Sequence, residues 1–178
     1  ATTTGYMLFK RFNRSISKTS PGVASQNRPS IIFRLADFYL IYAEVANEVN
    51  PSDSRVLTYL NLVSERAGLP KVEILNPGIV GNKELQRAAI QRERQIELAT
   101  EGQRYFDVRR WMIADKDGEG RQNGYAHGMN VRGTINDTEE FNRVVETEKI
   151  VFNRKMYFQP IPDHEMRKTQ NLVQNPGW

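Results

Sequence analysis

Two apolar patterns of helical period, separated by little more than Asn50-Pro51, constrain this chain more than any other feature. From Ile31 to Asn50, residues Leu35, Phe38, Tyr42, Val45 and Val49 recur at steps of three and four, which on a helix gathers them into one stripe. Asn50-Pro51 ends that helix, and Ser52 or Asp53 is placed to cap the next one. There Val56, Leu57, Leu60 and Val63 face inward until Gly68 stops the helix and Pro70 forbids its continuation. So short a connection predicts antiparallel neighbours, and residues 31–70 read as a helical hairpin with Ala43, Ala46 and Ala67 near the contact. Hairpins of this kind are the unit of TPR-like stacking, although no second copy recurs at a fixed period.

Lys71 to Gly81, with Pro77-Gly78, reads as a loop, and Asn82 is placed to cap a central helix. That helix runs into the densest stretch of the chain, Ile90 to Trp111, IQRERQIELATEGQRYFDVRRW. Its first half sets Ile90, Ile96, Leu98 and Ala99 as apolar contacts among Arg92, Glu93, Arg94 and Glu97. After the break at Glu101-Gly102, Tyr105, Phe106, Val108 and Trp111 alternate with Arg104, Asp107, Arg109 and Arg110. A guanidinium binds a carboxylate through two parallel bonds in a fixed plane, which an ammonium cannot do. The stretch therefore reads as an arginine–carboxylate lattice pinning two helices, and Asp107→Ala is expected to lower stability by about 1–3 kcal/mol by stranding guanidinium donors.

Catalytic patterns find little support. Glu93 and Glu97 share one helix face, a poor arrangement for flanking a glycosidic bond, and Arg92 and Arg94 beside them are expected to lower both carboxyl pKa values. Asp115, Asp117 and Glu119 are spaced like the first half of a calcium loop, but its twelfth position is Ala126 where a bidentate glutamate belongs. A solvated acidic turn is the better reading, with a loose calcium contact at these three carboxylates as the alternative, and no cofactor is expected. His127 and His164 are far apart, and the absence of cysteine excludes thiolate ligands and disulfides, so no metal site is expected either. No serine sits in a nucleophile elbow, and no glycine-rich phosphate loop follows a strand. The net charge of +4 comes from arginines interleaved with acids, which argues against a nucleic-acid partner. No apolar run is long enough to cross a membrane as a helix. A non-enzymatic binding or scaffold role is what remains.

The flanks are less regular. Ala1 to Gly5 lacks an initiating Met and leads straight into the apolar, extended Tyr6 to Phe12, so a piece of a longer protein is expected; Asn13 to Ser30 is a polar loop. Asp115 to Thr138 reads as an irregular excursion, and Phe141 to Phe158 is rich in β-branched and aromatic residues without a clean period. Gln159-Pro160-Ile161-Pro162 fixes an extended path, and Asp163 to Arg167 looks like one helical turn. Sugar rings stack on exposed aromatics while their hydroxyls bond to amides and guanidinia. Tyr125 with Asn123, His127, Asn130 and Arg132 is the best such cluster.

The run Glu93-Arg-Gln-Ile-Glu97-Leu-Ala-Thr-Glu101-Gly102-Gln-Arg104-Tyr-Phe106-Asp107-Val-Arg109-Arg110-Trp111 resembles the carboxy-terminal hallmark of the SusD/RagB family. Other stretches agree in order: Arg34 to Glu44, Asn61 to Pro70, Gly128-Met129-Asn130, Tyr157 to Pro162 and Asn171 to Trp178. The resemblance implies the carboxy-terminal portion of a mostly α protein, with TPR-like helical hairpins, long irregular loops and little strand. Residues 31–70 would be the helical hairpin, 82–111 the hallmark helices and 112–178 a loop-rich closing segment. It further implies an outward-facing outer-membrane lipoprotein, anchored through an amino-terminal part not contained in this chain. Such proteins bind oligosaccharides, in some cases peptides, without cleaving them and deliver them to a TonB-dependent SusC-like transporter in polysaccharide utilisation. A TPR-like scaffold that grips a protein partner without touching sugar is the alternative.

Overall fold

The computed structural model describes residues 8, 10, 30–116, 124–129 and 143–178, with the side chains of 124–127, 129 and 143–149 outside that description. The segments expected at Tyr6 to Phe12 and Asn13 to Ser30 lie almost wholly outside the described residues. The chain divides into two compact units, Pro29–Asp107 and a second made of Ala1–Arg28 with Val108–Trp178.

In the first unit, α1 (Leu35–Val49) and α2 (Ser54–Arg66) form the expected hairpin, and both pack against α4 (Lys83–Glu97). Asp53 caps α2 by accepting the Arg55 N–H at 2.9 Å, and Asn82 caps α4 by accepting the Leu85 N–H at 3.1 Å. The core is Leu40 and Ala43 from α1, Val56, Leu60 and Val63 from α2, and Ile90 from α4, all essentially inaccessible to solvent. Each of the larger of these side chains contributes about 1.5–3 kcal/mol by leaving water, before chain entropy is counted. Between α2 and α4 the expected loop contains a helical turn, α3 (Val72–Leu75), and a 3-10 turn, Pro77–Ile79. Buried Asn61 holds α3 in place: its carbonyl accepts the Val72 N–H at 3.0 Å and its amide donates to the Glu73 carboxylate at 2.8 Å.

One expectation is reversed. The α1 stripe of Leu35, Phe38, Tyr42, Val45 and Val49 is exposed, between 39% and 81% by residue, and the face that packs on α2 and α4 carries Asp37, Leu40, Ala43 and Asn47. The periodicity was real, but α1 has two apolar faces, and the inner one is disguised by polar residues that find partners only in the folded chain. Asn47 donates to the Lys83 carbonyl at 3.0 Å, and Asp37 is bound by an arginine of α4.

Helix α5 (Gln103–Arg110) leads from the first unit into the second. There a small core of Val108, Ile113, Ala114 and Phe152 is covered by Trp111, Met156 and Tyr157. The irregular run expected across 115–138 and the unpatterned one across 141–158 are corrected in part. Strands β1 (Gly124–Met129) and β2 (Arg143–Ile150) pair antiparallel, with a register irregularity between Tyr125 and His127. Gly124, Ala126 and Gly128 have weak strand propensity, so β1 is specified by its neighbour rather than by its own composition. The rest of the closing segment is pinned by side chains acting on backbone. Gln174 accepts from and donates to Ile161 at 2.8 and 2.9 Å, beside the expected turn at α6 (Asp163–Met166). The Trp178 indole donates to the carbonyls of Lys155 and Phe158, with the Lys155 ammonium 4.3 Å from its ring centroid.

Candidate functional site

The densest chemistry among the described residues is built on Arg94, whose side chain is 2% exposed. It projects from α4 between α1 and α5. Its Nε and Nη2 donate to the two oxygens of Asp107 at 3.0 and 3.1 Å, and its Nη1 donates to Asp37 Oδ1 at 2.9 Å. One guanidinium thus ties three helices together, with Asp37 placed in the first turn of α1, where the helix dipole favours a negative charge. A second cluster adjoins it along the chain. Arg34, just ahead of α1, donates to the Glu97 carboxylate and backbone carbonyl, both at 2.6 Å, and to Glu101 at 2.7 Å. Arg66, at the end of α2, reaches the same Glu97 oxygen at 2.7 Å. Burial alone would lower the pKa of Arg34; its bonds to Glu101 and Glu97 reverse that and raise it. The lattice predicted from composition is therefore present, and it includes Arg34, Asp37 and Arg66, which sequence reasoning left out. The available signal was an aspartate at the centre of an otherwise apolar helical run, Leu35-Ala36-Asp37-Phe38.

Glu93 departs from expectation. Arg92 and Arg94 were expected to lower its pKa, yet it is raised, by burial first and by the charge of Glu97 second, with a Ser64 hydrogen bond opposing. The reason is direction: Arg94 spends its donors on Asp37 and Asp107, and Arg92 is turned to solvent. Glu97, bound by two guanidinia, acts as a fixed acceptor.

Past Gly102 the expected inward apolar payload is only partly realised. Val108 is buried and Trp111 half-buried, but Tyr105 and Phe106 are exposed and meet edge to face, 5.2 Å between centroids. Ile96 on α4, expected as a contact, is exposed as well. Arg104 is half-buried. Arg109 stacks over Phe152 at 4.9 Å and Arg110 over Trp111 at 4.6 Å, so both hallmark guanidinia serve as cation–π partners.

Of the proposed sugar-binding cluster, Asn123, Asn130 and Arg132 lie outside the described residues. Tyr125 and His127 are placed by backbone only, on β1, opposite Lys149 and Val145. Asp117 and Glu119 of the calcium-like turn also lie outside. Asp115 receives the Tyr157 hydroxyl at 2.5 Å, which holds its carboxyl below the usual range. Among the described residues no group of three His, Asp or Glu side chains could hold a metal ion.

A helical hairpin closed on a third helix by a buried arginine lattice defines a TPR-like helical protein. Comparison with known proteins narrows that class. The SusD family model matches residues 1–178. A SusD-like protein of Formosa agariphila is 43% identical over 89 residues, covering 50% of this chain and 16% of its own. Another from the same organism is 29% identical over 153 residues, covering 83% and 26%. The solved structure of BT4246 is similar with a TM-score of 0.66 at 33% identity, over 86% of this chain and 24% of its own. The crystal structure of a SusD-like protein of Bacteroides fragilis gives 0.65 at 30% identity, over 84% and 26%. The chain belongs to the SusD family, and it spans about a quarter or less of the length of these relatives.

Proposed function

We propose that the protein containing this chain binds nutrient glycans at the outer face of the outer membrane, without cleaving them, and passes them to a TonB-dependent SusC-like transporter. The observation that carries this reading is the family match along the whole chain. The arrangement of charge supports it: the carboxylates of the lattice are committed to arginines as fixed acceptors, which suits a rigid support better than proton transfer. Glycan contact is assigned to the region beyond Trp111, with Asn123, Tyr125, His127, Asn130 and Arg132 as the side chains to test. Isothermal titration of the full-length protein against a panel of oligosaccharides and peptides, with affinity purification of its membrane partners, checks the reading. Saturable oligosaccharide binding and a copurifying transporter are expected. Binding of peptides alone, or of neither class with no transporter recovered, contradicts it.

A further inference from the structure

The stretch from 116 to 151 holds β1, β2 and every side chain put forward above for glycan contact, so what fixes its two ends decides where those side chains stand. The departing end follows directly on Ile113 and Ala114, and the returning end leads into Phe152; all three are buried in the small core of this unit. β2 stops at Ile150, two residues before Phe152, and Gly124 of β1 pairs with Ile150, so both strands inherit their position from that end. Tyr157, which closes the 3-10 turn Arg154–Tyr157, touches both ends with one side chain. Its ring meets Phe152 edge to face, 5.0 Å between centroids. Its hydroxyl accepts the Asp115 N–H at 3.1 Å and donates to Asp115 Oδ1 at 2.5 Å. Apolar packing alone lets a segment slide, whereas two hydrogen bonds to one residue, one at its backbone and one at its side chain, fix direction as well as distance. Burial first, and then the bond to Asp115, raises the pKa of the Tyr157 hydroxyl, so the donor keeps its proton at neutral pH.

We infer that Tyr157 is a positioning residue for glycan binding, clasping Asp115 and Phe152 so that the β1–β2 hairpin leaves the core in one direction. The inference rests on the glycan contact proposed beyond Trp111, and the clasp acts on that contact without touching the sugar. Joining the two ends of a long stretch also removes many of the arrangements open to it. Loss of the hydroxyl frees the departing end while leaving the ring on Phe152, so the hairpin loosens and the core does not.

Three variants of the full-length protein test this. Tyr157→Phe removes only the hydroxyl, Asp115→Ala removes the side-chain acceptor, and Asp115→Asn keeps an oxygen in the acceptor's place. Each is titrated calorimetrically with the member of a panel of gluco-, manno- and xylo-oligosaccharides that the parent binds, and each is followed by amide hydrogen exchange. Tyr157→Phe is expected to raise Kd at least about fivefold, the worth of one hydrogen bond. Exchange across β1 and β2 should quicken at least about tenfold, with parent rates kept in α1, α2 and α4. Asp115→Ala should change both in the same direction, and Asp115→Asn should restore Kd to within about twofold of the parent. A parent-like Kd, or parent-like exchange in β1 and β2, for Tyr157→Phe overturns the inference. Equal losses in Asp115→Asn and Asp115→Ala overturn it too, because the charge and not the clasp would then matter. So does quickened exchange throughout α1, α2 and α4, since the hydroxyl would then serve stability alone. A parent that binds no oligosaccharide contradicts the proposed function instead, and the exchange comparison still decides the clasp.

Discussion

Arg94 illustrates how much of the molecule rests on single side chains. It is a buried cation facing two buried carboxylates, so removing either partner leaves a charge in a site that water does not reach. The sequence suggested a loss of about 1–3 kcal/mol for Asp107→Ala; the burial found here raises that to about 3–5 kcal/mol, the range for breaking a buried pair. Urea denaturation of the full-length protein measures it, and an unchanged midpoint would show the pair to be solvated. Glu93 gives a prediction of opposite sign. Its pKa is raised above 4.5 by burial, so over the interval from 4.5 to the folded value the folded chain keeps a proton that the unfolded chain has released. Stability contributed by that proton is full at acid pH and is lost as pH rises through the folded pKa. Glu93→Gln should therefore flatten this part of the profile and gain relative to the parent at neutral pH, while keeping an acceptor for Ser64. Melting temperatures across the acid-to-neutral range check it; a parallel profile counts against it. Residue types were legible from sequence at this scale, but partners were not. Asp37 lies 57 positions from Arg94, and Arg34 lies 67 from Glu101, so no local pattern relates them.

At the scale of elements, the caps and breaks carried the most information. Asp53, Asn82 and the turn at α6 stand where the sequence put them, because cap chemistry is local. The break between α4 and α5 is local too. Gly102 has φ of +85°, and a Cβ there would meet nothing within 4 Å, so Gly102→Ala bears only the backbone cost. A loss of about 1–2 kcal/mol is expected in thermal or urea melts, and a neutral result would mean that the α4–α5 joint adjusts freely. Period alone failed where a helix offered two apolar faces, as in α1. It failed again where strand pairing between β1 and β2 outweighed the composition of β1. Tyr105 and Phe106 repeat the first lesson, since an aromatic in an amphipathic run is not thereby a core residue.

For the whole molecule, the ordered motifs from Arg34 to Trp178 made the family legible before any coordinates, and the family model agrees over residues 1–178. The side chains proposed for glycan contact were not legible in the same way, because a binding cluster follows neither a helical period nor a cap. We propose a division of labour in which the arginine-rich stretch from Ile90 to Trp111 supports and the residues beyond it bind. The direct measurement is calorimetric titration of a bound oligosaccharide into the full-length protein carrying Asp107→Asn, at a temperature where that variant remains folded. A lowered melting temperature with a Kd within about twofold of the parent is expected, as for energetically independent sites. A lost affinity with an unchanged melting temperature would contradict it and put the lattice itself in the binding site.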